Sequence, residues 1–141
     1  MFFNYEATYV GVTEENDVLI VGFGGLPDAD GYPTASLVLQ RSTDENEDEP
    51  GIRGVYAEWR DQGQSCYGCI KRFVLSRESV RVTFTPEANF RFDPNMEIEG
   101  EKNRLTDLSI TLQLNDEKFA ELKDRLEGSI FVDCECYSYV A

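Results

Sequence analysis

Two close cysteine pairs, Cys66-Tyr67-Gly68-Cys69 and Cys134-Glu135-Cys136, are the residues with the widest choice of chemistry. A C-x-x-C with glycine before its second cysteine can wrap a metal as a knuckle. Cys134 and Cys136 would then complete a four-thiolate zinc site with Cys66 and Cys69. The same residues can instead be small buried apolar groups, because a C-x-C pair on a strand turns both sulfurs to one face. A disulfide or redox role is the third reading. Its thioredoxin-like form needs a helix after the C-x-x-C, and none is expected after Cys69. The pattern alone leaves all three open.

Other catalytic chemistry has thin support. The chain has no histidine, which removes the commonest general base, triad partner and zinc ligand. Among 27 Asp and Glu, some pair always falls at the spacing a carboxylate-pair hydrolase needs, so such a pair carries no weight. Gly22-Phe23-Gly24-Gly25 follows a strand but lacks the G-x-G-x-x-G spacing, the following helix and the lysine of a phosphate-binding loop. A turn is expected there, and no enzyme.

The acids point elsewhere. Against them stand only 13 Lys and Arg, for a net charge of −14 and a pI near 4.3. Residues 1–70 hold thirteen acids and three bases, residues 71–141 fourteen acids and ten bases. The excess therefore sits in the first half, net −10 against −4. Such a field repels phosphate backbones and anionic lipid and speeds encounter with cationic proteins. It also simply keeps a protein soluble. Its densest run is Asp44-Glu45-Asn46-Glu47-Asp48-Glu49 before Pro50-Gly51, which mutual repulsion keeps solvated. As a contact for a basic partner it would work through charge-assisted bonds and steering. Asp44, Glu45, Glu47, Asp48 and Glu49, with Tyr56 and Glu58 on the strand that follows, are the expected contact residues. Tyr56, Trp59 and Tyr67 form an aromatic recognition surface or, as strand aromatics often do, pack a core or edge.

The elements that must position these residues are mostly strands. Phe3, Tyr5, Ala7 and Tyr9 alternate with polar residues and predict a first strand. Thr13 to Asp17 is a polar turn, and Val18 to Phe23 is apolar enough to be a central strand buried on both faces. Gly24 to Pro33 reads as a loop. Strands follow at Ser36–Arg41 and Gly54–Arg60, where Val55, Ala57 and Trp59 face one way and Tyr56, Glu58 and Arg60 the other. Asp61 to Gln64 turns the chain. Cys69–Leu75 and Ser79–Thr85 make a hairpin. Met96–Glu99 is a short strand, and Leu108, Ile110, Leu112 and Leu114 alternate in another.

Only Asp116–Glu127 changes period, with Phe119, Leu122 and Leu126 at helical spacing, Asn115 or Asp116 as cap and Gly128 after it. A last strand, Ser129–Val140, places Ile130, Val132, Cys134 and Cys136 on one face. The expected fold is α+β: a mostly antiparallel sheet of about seven to nine strands with one helix over residues 116–127 packed on it. The 141 residues suit a single domain. The N-terminal Met1-Phe2-Phe3-Asn4-Tyr5-Glu6 has no signal-peptide pattern, and the longest apolar run, Val18-Leu19-Ile20-Val21, is far too short to span a membrane. A cytoplasmic protein is expected.

The ordered set of segments resembles the Immunity protein 10 family of bacterial polymorphic toxin systems. The resemblance runs from Tyr9-Val10-Gly11-Val12-Thr13-Glu14-Glu15-Asn16-Asp17-Val18-Leu19-Ile20-Val21-Gly22-Phe23 through Leu37-Val38-Leu39-Gln40-Arg41-Ser42, the acidic run and Val55-Tyr56-Ala57-Glu58-Trp59. It continues through Gly63 to Ile70, Phe73-Val74-Leu75-Ser76-Arg77 and Leu112 to Phe119 with the helix. It implies a small cytosolic protein that neutralises a cognate toxin by direct binding, and it brings no catalytic residues. Cys66 and Cys69 stand where the family resemblance leads one to expect small residues such as glycine. Phe90–Arg104 looks like an insertion, and the strand after Gly128 runs past the family's usual end.

Overall fold

The period-two alternation folds into two sheets rather than one. The structure is a computed structural model that describes residues 1–27, 30, 33–42, 54–60, 64–91 and 104–141. In chain order its strands are β1 (Phe2–Glu6), β2 (Tyr9–Glu15), β3 (Val18–Pro27), β4 (Pro33–Ser42), β5 (Tyr56–Trp59), β6 (Gln64–Tyr67), β7 (Ile70–Ser76), β8 (Ser79–Phe84), β9 (Asp107–Thr111) and β10 (Tyr137–Val140). The helix α1 (Asp116–Arg125) lies between the last two. Strands β2 to β6 form an antiparallel meander in chain order. The second sheet has the order β1-β9-β8-β7-β10, and its two edge strands, β1 and β10, pair parallel with β9 and β7. The class is α+β as expected, with ten strands among the described residues.

The first expected strand is in fact two. Ala7 N–H donates to the Thr111 carbonyl of the second sheet, and Thr8 N–H donates to the Gly24 carbonyl of the meander. The chain crosses between sheets at that peptide, although the apolar alternation runs through it unbroken. The next turn is tighter than expected. Asn16 and Asp17, at φ 51° and 62°, form a two-residue hairpin between Glu15 and Val18, the geometry whose twist matches paired strands. β3 and β4 extend to Pro27 and from Pro33, shortening the expected loop.

β3 is central but not buried on both faces. Leu19, Val21 and Phe23 are buried, while Val18, Ile20 and Gly22 are half-buried on the other side. The inner faces of the sheets meet through Phe23 and Phe73 (ring centroids 6.4 Å apart), Tyr5 and Trp59 (6.3 Å) and Phe3 and Trp59 (6.5 Å). Each such fully buried side chain contributes roughly 1.5–3 kcal/mol. The Tyr5 hydroxyl donates to the Phe23 carbonyl at 2.8 Å. That bond satisfies a phenol whose pKa burial drives far above its ordinary value.

The Asn115 side chain caps α1 by accepting from Lys118 N–H at 2.7 Å. Past Arg125 the chain does not start a strand. It winds on through one π turn, Leu126–Ile130, because Leu122, Leu126 and Ile130 continue the helical spacing and are all fully buried. The helix reaches the second sheet through Arg77 over the Phe119 ring and Phe119 beside Tyr139. Its π turn reaches β4, where Arg41 donates to the Ile130 carbonyl. It thus closes one side of the sandwich, adding its apolar face to the shared core. Residues 131–136 are turns, and only Tyr137–Val140 is strand. Val132, expected inside, is 58% exposed. The expected Met96–Glu99 strand, most of the Phe90–Arg104 segment and the Asp61–Gly63 turn lie outside the described residues.

Candidate protein-binding face

The outer face of the meander is built by register. Thr13, Ile20, Gln40, Tyr56 and Tyr67 lie abreast on five successive strands, and Gly11, Gly22, Val38, Glu58 and Ser65 form the next row. Tyr9 stands opposite Gly24 in a third. Strand alternation sends the intervening residues Val10, Val21, Phe23, Leu37, Leu39, Ala57 and Trp59 into the core.

A Cβ on Gly24 would collide with the Tyr9 ring, so that ring lies across the bare backbone there. At Gly11 and Gly22, by contrast, an added Cβ would meet nothing within 4 Å. Two neighbouring glycines thus leave a trough, floored further along by Val38 and ending at Glu58. Tyr9 walls one side; Ile20, Gln40 and Tyr56 wall the other. Tyr9 is 43% exposed and Tyr67 50%. The Tyr56 ring packs on Tyr67 with centroids 5.1 Å apart, and its hydroxyl donates to Glu58 Oε2 at 3.1 Å. A hydrogen bond with Ser65 acts to lower the Tyr56 phenol, but partial burial and the Glu58 carboxylate outweigh it and hold the phenol above its ordinary value. Neither of the two full rows contains a lysine or arginine. The outer face of the second sheet differs, since exposed Arg72 and Arg81 lie there beside Thr83 and Ser109.

Of the expected contact residues, Tyr56 and Glu58 are brought together here. Asp44, Glu45, Glu47, Asp48 and Glu49 lie outside the described residues. Trp59 is fully buried against Phe3 and Tyr5, so it belongs to the core and not to an aromatic surface. Tyr9, Gly11, Ile20, Gly22 and Val38 were not anticipated. Their signal was the pair of glycines on the outward positions of two alternating strands joined by a two-residue turn.

The cysteines separate by role. Cys134 and Cys136 are joined by a disulfide across a turn, with Cα atoms 5.3 Å apart, so they are neither strand neighbours nor a pair of free thiolates. Cys69 is buried and its thiol donates to the Cys66 carbonyl at 3.5 Å. Burial, then the Cys66 side chain, pushes the Cys69 thiol up to about 12, away from the thiolate that metal binding or nucleophilic attack needs. Among the described residues no group of three or more Cys, Asp or Glu is arranged to hold a metal. A cavity of about 460 Å³ opens beside the disulfide, lined also by Arg41, Gly68, Ile70 and Asp133. Arg41 spans it, bonded to the Ile130 carbonyl at 3.0 Å and to Asp133 at 2.7 Å.

A general acid would need a carboxyl held above its ordinary value. The described carboxylates with a resolved shift move the other way: Glu87 is lowered by its own backbone N–H, and Glu127 by Lys123 and then by Tyr137. What the outer face of the meander offers is recognition: flat, aromatic at its corners and free of basic side chains along its two rows.

The family model described as Immunity protein 10 matches residues 6–120. No curated protein matches the chain, and no solved structure does.

Proposed function

Because the chain belongs to the Immunity protein 10 family, we propose that it binds a cognate bacterial polymorphic toxin and neutralises it by direct, non-catalytic contact. The family match over residues 6–120 carries this reading. The single domain acts in the cytoplasm, needs no cofactor for this role, and shields the producing cell. Its charge of −14 supports a basic partner. A nuclease with a cationic cleft is the toxin class that such a field suits best, with carboxylates standing where phosphates would lie. The run from Asp44 to Glu49 steers the encounter, and Tyr56 and Glu58 belong to the contact.

The test is co-expression of the toxin encoded beside this chain, with and without it, followed by affinity capture. Growth is restored and the two proteins co-purify if the reading holds. A toxin that kills equally in both cells, and leaves no complex, sinks it. Reversing the five charges of the acidic run should slow association and flatten its salt dependence. An unchanged on-rate at low salt removes that run from the mechanism.

A further inference from the structure

We propose that the Gly11–Gly22–Val38 trough is the receptor for one long cationic side chain projecting from the toxin, with Glu58 as its counter-charge. The proposal rests on the toxin-binding reading above and gives it a place and a chemistry.

Three observations carry it. The trough is open: nothing lies within 4 Å of a Cβ placed on Gly11 or Gly22, and the two glycines are direct cross-strand partners. From Gly11 to Glu58 it crosses three strand spacings, about 14 Å, enough for an aliphatic stem to lie flat. Its walls suit a cation, since an aromatic face attracts a guanidinium or ammonium while its edge packs the stem. Tyr9 and Tyr56 stand on opposite sides, and Tyr56 positions Glu58 with a 3.1 Å hydrogen bond. The charge is also complementary. Neither row holds a base, whereas exposed Arg72 and Arg81 lie on the opposite sheet. A neutral apolar anchor would fill the trough equally well but would leave the Glu58 carboxylate at its end unpaired.

The experiment measures affinity for the purified toxin domain encoded beside this chain. It compares the wild-type chain with Gly22→Leu, Glu58→Lys and, on the outer face of the other sheet, Ser109→Leu. All variants are first checked for unchanged circular dichroism and melting. Leucine at position 22 enters open space and favours strand over glycine, and Glu58→Lys serves as a second variant that adds no bulk to the floor. Gly22→Leu and Glu58→Lys should each weaken binding at least tenfold, with Ser109→Leu within twofold of wild type. Toxin variants with single Lys or Arg replaced by Glu are then screened against Glu58→Lys, and one should restore at least tenfold of the loss. If wild type binds and both trough variants bind as tightly, the trough is not the receptor, while the immunity reading stands. If Gly22→Leu weakens binding but Glu58→Lys does not, the occupant is apolar and the cation is wrong. If wild type itself does not bind the toxin, both readings fall.

Discussion

Replacing Arg41 with methionine tests how the helix end is tied to the meander. Arg41 makes two contacts of unequal worth. Its guanidinium donates to the Ile130 carbonyl, a backbone group of the π turn, and pairs with Asp133. The Arg41 side chain is only 13% exposed but that of Asp133 is 69% exposed, so solvent screens the ion pair to about 0.5 kcal/mol. A charged hydrogen bond to a carbonyl left otherwise unpartnered is worth about 1.5–3 kcal/mol. Methionine keeps most of the aliphatic packing, so Arg41→Met should cost about 2–3 kcal/mol and Asp133→Asn about 0.5 kcal/mol. For a chain of this size the first corresponds to a fall in Tm of roughly 6–9 °C. Urea unfolding followed by the fluorescence of the one tryptophan, buried Trp59, reads both changes. The midpoint should move while the slope stays constant. Equal losses for the two variants would refute the ranking, because stability would then come from the carboxylate. A loss below about 0.5 kcal/mol in Arg41→Met would mean that the Ile130 carbonyl is served by water.

Other outcomes are as specific. Asn115→Ala removes the acceptor for Lys118 N–H and should cost about 1 kcal/mol by denaturation, with Asn115→Asp restoring most of it. Native alkylation with iodoacetamide at pH 8 should spare buried Cys69, whose thiol is pushed up to about 12, until urea exposes it; mass spectrometry showing Cys69 labelled at its unfolded rate contradicts its burial. Since that folded pKa is raised above the ordinary 9.0, the thiol's contribution is complete below about pH 9 and is lost as pH rises toward 12. Glu127 works in the opposite sense. Lys123 and then Tyr137 hold its carboxyl below 4.5, so its contribution is present above that value and lost as pH falls through the folded pKa. In an NMR titration Lys123→Met should move the Glu127 midpoint up, and an unmoved midpoint would show that Lys123, 3.0 Å away, is not its main partner.

Much of this fold is legible because alternation reports which side of a strand meets the core. Val55, Ala57 and Trp59 point inward, and Tyr56 and Glu58 outward, as their spacing requires. Alternation says nothing of which strand is the neighbour. The crossing at Ala7–Thr8 leaves no local mark, since Phe3, Tyr5 and Ala7 serve one sheet and Tyr9 the next in unbroken rhythm. The parallel pairings of β1 with β9 and β10 with β7 join distant segments that no local window compares. Ser129 to Cys136 misleads for a different reason. Ile130 and Val132 mimic a strand, but Ile130 is also four residues from Leu126, and burial of that helical pair prevails. In the candidate site the charged and aromatic members could be named in advance, whereas the trough is made by side chains that glycine lacks. Only the register of β2 against β3 shows Gly11 and Gly22 to be one feature.

The two sheets also differ in how far apart in sequence their strands lie, which sets an order of assembly. Every pairing in the meander joins consecutive strands, and β2 and β3 are joined by two residues. The second sheet must instead bring Met1 to Thr106, 105 positions away, and set β10 beside β7. Loop-closure entropy delays such contacts relative to local ones. The meander is therefore the segment expected to gain structure first, and docking of both edge strands the late step that locks its inner face. Substitutions in the β2–β3 hairpin should slow folding, and those in β10 should mainly hasten unfolding. The surface offered to a toxin would be laid down at the start of folding, and its permanence decided at the end.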